Sequence, residues 1–447
     1  MICWKTLERR IDLPGLNLNR SLILTVIAVF AMLTACGSPI VTGMKVHMQN
    51  QEYDEIIQLS DSVIAEGDSL NAEIWFWRGR AFTEKSQWTE AAESFDKANE
   101  LDASGSLALN EFWFVFFNSA ANTLNEGDFE SAVDMLEAGI QIAPDRPDFE
   151  LMLGDVELNR NNDYQAALQD YQNASRKARA LIATLQEMID DTSDPYTLDY
   201  YNQNLDKARN LCIQALYNSG SVMTMIVMDN DSEEESQESI QQIKDIYAEA
   251  LDIDPTNIDV LDALAGVYML EGDYDSAIGI YDEAADNINI GVSEGWLDES
   301  EASDMMANIL VSKGYAYIEM EDYDNAITEL NQARDIIGDD FIVLSTLAHA
   351  NFVLENYDEA LSILDTALMI DGLTPDELAS AYYIKYACYN RKEMDSEAAE
   401  ALETALEFQP DNADYWRYLA STYSRLGRRN DAINAMEKAG ELDPGDN

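Results

Sequence analysis

Small residues recur along this chain at helical spacing. Eight times one is followed seven positions later by another: Ala91 and Ala98, Ala132 and Gly139, Ala167 and Ala174, Ala277 and Ala284, Ala326 and Ala333, Ala360 and Ala367, Ala398 and Ala405, Ala432 and Ala439. Seven positions are two helical turns, so both members of a pair share one face. A narrow stripe of Ala and Gly lets the facing helix approach closely, where larger side chains would push the axes apart. Three positions before the first member stands an aromatic residue in six units: Trp88, Phe129, Tyr164, Tyr274, Tyr323 and Tyr357. Nine positions before that aromatic stands a further small residue, Gly79, Ala120, Ala265, Gly314 or Ala348. The pattern predicts two helices per unit with the aromatic at the turn between them, and an all-α stack of such hairpins. Pro144, Pro255, Pro410 and Pro444 close units, where a helix has to stop.

Eight good units run from about Ala72 to Pro444. A degenerate one around Tyr53, Ile56 and Val63 lacks the small residues, and another keeps only its second helix in register, with Tyr247 and Ala250 leading to Pro255. Ala326 to Ala360, and Ala398 to Ala432, are 34 residues apart. These positions resemble the tetratricopeptide repeat family, whose period is about 34 residues. The resemblance covers about nine tenths of the chain, and it implies a right-handed α-solenoid of about ten helical hairpins.

The spacing divides the chain into 1–35, an address; 36–43, a tether; 44–175, the first four units; 176–255, an irregular helical stretch with the degenerate fifth unit; and 256–447, units six to ten. In the irregular stretch, residues 176–188 carry a helix past its normal stop, 192–195 break it, 200–228 form one long amphipathic helix, and 229–238 form an acidic loop. A second insert, 287–303, holds Trp296. Inserts of this kind map to loops or to one face of a solenoid. The last unit has no polar helix after it and is expected to fray first or to be covered by a partner.

Lys5, Arg9, Arg10 and Arg20 make a basic lead, and residues 21–33 an apolar run too short to span a bilayer comfortably. The run ends in Leu33, Thr34, Ala35 and Cys36, which resembles the lipobox of bacterial lipoproteins. That likeness implies cleavage before Cys36, lipidation of its sulfur, and attachment to the cell envelope, at the outer membrane if the source is Gram-negative. Two or more acyl chains anchor stably where one does not. A plain secretory signal and an uncleaved anchor remain open alternatives. Cys212 and Cys388 stand several repeats apart, too far for a bridge, and read as buried packing thiols.

The chain carries 27 Lys and Arg against 85 Asp and Glu, a net charge of −58, and about −60 without residues 1–35. So negative a field disfavours nucleic acid and anionic lipid headgroups as partners. After the address only His47 and His349 remain as histidines, with no phosphate loop, nucleophile elbow or zinc motif. The expectation is therefore no enzyme, no cofactor and no metal site. Residues 229–238 lack the Gly and Glu that an EF-hand loop needs.

In the resembled family the first helix of each hairpin lines a groove. Projecting that register here gives Phe76 and Arg80, Phe114 and Phe117, Tyr315 and Ile318, His349 and Phe352, Tyr383, Asn390 and Arg391, and Arg417 and Arg425. The run Phe112 to Phe117 is apolar on every side of its helix and must be buried or touch something. It is either a site for an apolar peptide or is covered by a neighbouring part of the chain. Arg391, Arg417 and Arg425, with Arg428 and Arg429, concentrate positive charge, either to hold an acidic peptide or to neutralise nearby carboxylates. The leading expectation is a membrane-anchored scaffold for protein or peptide partners in envelope or secretion-complex assembly. The alternative is a solute- or glycan-binding lipoprotein that uses the aromatic groove.

Overall fold

The structure is a computed structural model that describes residues 38–67, 69–229 and 233–443. Among them are twenty α-helices and no strand. The chain divides between Asn161 and Asn162 into two compact units. The address, Cys36 and Pro444 lie outside the described residues.

The first unit holds α1 (Pro39–Gln49), α2 (Tyr53–Ala65), α3 (Ala72–Glu84), α4 (Trp88–Leu101), α5 (Trp113–Asn125), α6 (Phe129–Ile142) and α7 (Asp148–Val156). A 3-10 turn, Leu109–Phe112, precedes α5, and a π turn, Glu157–Asn161, follows α7. The degenerate first repeat is thus a complete hairpin, with Val41 and Met44 of α1 buried beside Ile56 and Val63 of α2.

The second unit holds α8 (Tyr164–Asp191), α9 (Pro195–Met228), α10 (Glu233–Ile253), α11 (Ile258–Glu271), α12 (Tyr274–Glu294), α13 (Glu299–Glu319), α14 (Tyr323–Ile337), α15 (Phe341–Val353), α16 (Tyr357–Ala367), α17 (Pro375–Arg391), α18 (Asp395–Phe408), α19 (Ala413–Arg425) and α20 (Arg429–Leu442). The expected acidic loop at 229–238 is shorter than the sequence suggests, because helix resumes at Glu233. Glu is a good helix former, and its charge suits a helix N-terminus. The second insert is built by lengthening α12 and α13 around a short turn at Gly295.

Nine of the hairpin turns among the described residues are made the same way. The residue two before the second helix takes a left-handed backbone, Gly127 at φ 81°, Gly272 at 80° and Glu355 at 63° among them. In several turns an Asp follows as N-cap: Asp128 accepts from the Ser131 N–H at 3.2 Å, and Asp273 from that of Ser276 at 3.2 Å. Such caps satisfy donors that the first helical turn leaves open. The Ser131 hydroxyl and amide hold the Asp128 carboxyl below its usual range.

All eight small pairs are buried. The small residues of the first helices serve the same close packing: a Cβ on Gly79 would meet the Phe95 ring at 2.8 Å, and one on Gly314 would meet Leu330 at 2.7 Å. Each missing methyl makes room for a large side chain from the partner helix, the packing that the stripe predicts. Cys212 and Cys388 are buried and free, and burial pushes both thiols up to about 11. Among the described helices only α9 is long and apolar enough to cross a bilayer, and its C-terminal half is packed against α10 in the core of the second unit.

Candidate functional site

The first helices of the last two hairpins carry one motif twice. Tyr383 and Tyr386 stand on α17, Tyr415 and Tyr418 on α19. Residues three apart are neighbours on a helix surface, and the two helices bring their pairs together. Tyr383 stacks on Tyr415 with centroids 5.1 Å apart and planes at 16°. It also lies 5.8 Å from Tyr418, while Tyr386 stacks on Tyr418 at 5.7 Å. Tyr386 is buried, Tyr383 and Tyr415 are half-buried, and Tyr418 is 39% exposed. The result is an aromatic shelf with a dry back and a wet edge. Burial, followed by the hydrogen bond to Tyr418, pushes the Tyr383 phenol up to about 12. Burial likewise raises Tyr386 and Tyr415. These phenols therefore stay protonated at neutral pH, able to donate and accept hydrogen bonds.

Beside the shelf, Arg425 Nε donates to Asp395 Oδ1 and Nη2 to Asn390 Oδ1, both at 2.6 Å. Arg417 donates to Asp414 at 2.6 Å and to Asp443 at 2.7 Å. Arg428 pairs with Asp431 at 2.7 Å and Glu403 at 3.3 Å, and its guanidinium lies 4.0 Å from the centre of the Tyr423 ring. Of the five arginines expected to form a basic groove, three are thus neutralised by the chain's own carboxylates. Arg391 and Arg429 are exposed and have no carboxylate within 4 Å among the described residues.

The other projected residues are dispersed. Phe76, Phe114 and Phe117 are half-buried against the core of the first unit. Phe112 stands on the 3-10 turn rather than on α5, and stacks on Phe95 at 4.7 Å with Phe76 at 5.7 Å. Trp88 borders Phe114 at 6.3 Å, and Trp113 borders Phe117 at 6.2 Å. The guanidinium of Arg80 lies 4.7 Å from the Trp77 ring centre. Most of these ring faces are therefore occupied by each other, and what lies over Phe76 and Phe95 is the Leu109–Phe112 turn. In the second unit the Tyr315 hydroxyl lies 3.1 Å from that of Thr346, Phe352 packs into the core, and His349 is exposed.

Sequence reasoning named Tyr383, Asn390 and Arg425 but missed Tyr386, Tyr415 and Tyr418. A signal was present: two tyrosines three apart, once in each of two successive first helices.

Models of the tetratricopeptide repeat family match residues 45–106 and 123–181, 260–289, 307–338 and 413–446. Among curated proteins none matches this chain. Solved structures similar to it include MamA, residues 41 to the end, from Desulfovibrio magneticus RS-1, at 18% identity and a TM-score of 0.36, covering 42% of this chain and 97% of that one. YrrB, described as a TPR protein with an unusual peptide-binding site, aligns at 20% identity and a TM-score of 0.35, covering 45% of this chain and 93% of its own. The Cut9-Hcn1 hetero-tetramer of the APC/C aligns over 90% of this chain and 93% of that one, at 13% identity and a TM-score of 0.36. Likeness so distant extends to no ligand. The hairpins within these matched residues are tetratricopeptide repeats.

Proposed function

We propose that this chain is a protein-binding scaffold, held at the cell envelope by lipid on Cys36, that captures an extended peptide segment of its partners on the tyrosine shelf of α17 and α19. The observation that carries this reading is the convergence of Tyr383, Tyr386, Tyr415 and Tyr418 on successive first helices, with the Tyr418 ring partly in water. Tyrosines offer large, rigid, amphipathic contact area with few rotatable bonds, which suits recognition of a flexible segment. Asn390 and Arg425 hold each other in place at the rim and present fixed polar groups. Tethering raises local concentration, so modest affinity at the shelf is sufficient for assembly work in the envelope or in a secretion complex. A glycan reading has less support, since Tyr383 and Tyr415 turn ring faces toward each other that a sugar would need.

Affinity capture from a native envelope fraction, comparing the unaltered protein with Tyr418→Ala and Tyr383→Ala, tests the shelf. Specific partners should be lost from both variants while the circular dichroism of each is kept. Retention of every partner by both variants overturns the reading. Cys36→Ser tests the tether separately: membrane sedimentation and labelling with a fatty acid analogue should both be lost.

A further inference from the structure

We infer that the hairpin of α8 and α9 is a projecting arm whose tyrosine-bearing tip docks a cationic segment of another protein, a surface separate from the tyrosine shelf. At 28 residues, α8 is twice the length of α4, α6, α18 or α20, and it spans about 42 Å at 1.5 Å per residue. Its distal half and the start of α9 have a small core of their own, in which Leu185, Leu205 and Ala208 are buried and Leu181, Ile182, Ile189 and Tyr201 pack against them. That core draws on no other helix. The arm is therefore a stiff two-helix rod, closed at its tip by Asp194, which accepts from the Thr197 N–H at 2.9 Å and caps α9.

At this tip the apolar-inside rule is broken. Tyr196 is 88% exposed and Tyr200 63%, the two most exposed aromatic rings among the described residues. They lie four apart, so one face of α9 presents both. Met188, near the same end of α8, is 42% exposed. The charge around the rings is of one sign. Between Arg179 and Lys207 the sequence has no Lys, Arg or His, while Glu187, Asp190, Asp191, Asp194, Asp199 and Asp206 are all exposed. That complementarity selects the occupant. Ring faces bordered by carboxylates attract guanidinium and ammonium groups through the π quadrupole and through charge together. A second copy of the arm would bring six more carboxylates against these, and an anionic membrane surface would be repelled in the same way.

The probe is a fluorescein-labelled peptide of alternating Arg and Ser residues, titrated against the full chain by anisotropy in 0.15 M salt. Because a chain of charge −58 attracts any polycation weakly, the decisive comparison keeps charge constant. Tyr196→Ala/Tyr200→Ala should lower the affinity about tenfold, and Tyr196→Phe/Tyr200→Phe should keep it. Hydrogen exchange on the complex should show slowed exchange in residues 187–201. Equal affinity of the double Ala variant and the unaltered chain, or slowed exchange only elsewhere, overturns the inference. Both rings are solvent-exposed, so these variants should fold. Failure here leaves the shelf standing, since that reading is tested by Tyr383 and Tyr418.

Discussion

A methyl group on Gly220 of α9 would lie 2.5 Å from the ring of Tyr247 on α10. The relation repeats that of Gly79 with Phe95 and Gly314 with Leu330, a first-helix glycine receiving a large residue of the second helix. Neither Tyr247 nor its surroundings can yield cheaply: the ring is buried, and its hydroxyl lies 3.3 Å from that of Ser221. Gly220→Ala should therefore destabilise the protein by about 1–3 kcal/mol through overpacking, read from urea unfolding. At Gly266 of α11 nothing stands within 4 Å of an added Cβ. There the same substitution should stabilise by about 0.5–1 kcal/mol, as Ala usually does in a helix interior. Equal shifts at the two sites would mean that the Gly220 contact does not exist.

That pair also shows why the fifth repeat is only half legible in the sequence. Tyr247 and Ala250 carry the second-helix pattern, but α9 runs for 34 residues, and Gly220 stands 27 positions before Tyr247 where Gly79 and Gly314 stand 16 before Phe95 and Leu330. Elsewhere the small pairs place the helices well, because a stripe of Ala and Gly at two-turn spacing marks the line along which two helix axes come close. Functional side chains are less legible. Isolated from neighbours, Arg417 and Arg425 look like free cations, and only the folded chain brings Asp443 and Asp395 beside them. Phe112 is indistinguishable from the helix that follows it, because a run of aromatics has no periodicity to mark where a 3-10 turn gives way to α5.

The hairpin turns predict a stabilising substitution. Glu321, Glu355 and Glu393 hold left-handed backbones with φ between 57° and 63°. For a residue with a Cβ this conformation costs about 1–2 kcal/mol, whereas glycine adopts it freely and loses some of that gain through a more flexible unfolded chain. Glu355→Gly should raise stability by a net ~0.5–1 kcal/mol. Thermal unfolding followed by circular dichroism checks it, and a fall in midpoint would show that the Glu355 side chain makes compensating contacts.

Stability should decline in alkali as the buried tyrosines lose their protons. Burial pushes Tyr247 and Tyr281 up to about 12, from an ordinary 10.0. A folded-state pKa above the unfolded one means that the native chain holds its proton longer. The stabilisation is then complete below pH 10 and is lost as the pH rises toward 12. For Tyr247, 1% exposed, the contribution is of order 2 kcal/mol. Denaturant midpoints measured between pH 8 and 11.5 should fall, and Tyr247→Phe should flatten the slope. A slope unchanged by that substitution would place the titration elsewhere.

Arg417 separates a structural role from a ligand-binding one. It bridges Asp414 at the start of α19 to Asp443 just past the end of α20, so it ties together the two ends of the last hairpin. Reversing its charge leaves a glutamate beside two aspartates, and the repulsion should loosen the C-terminal turn of α20. Hydrogen exchange there should speed up in Arg417→Glu and recover in part at 1 M salt, where the screening length shrinks to about 3 Å. Arg417→Met removes the bridge without adding repulsion and should show the smaller effect, with little response to salt. Neither change should alter peptide capture at the tyrosine shelf, because Arg417 is engaged with its own chain. Loss of capture with α20 exchange unchanged would instead put this guanidinium in direct contact with the partner.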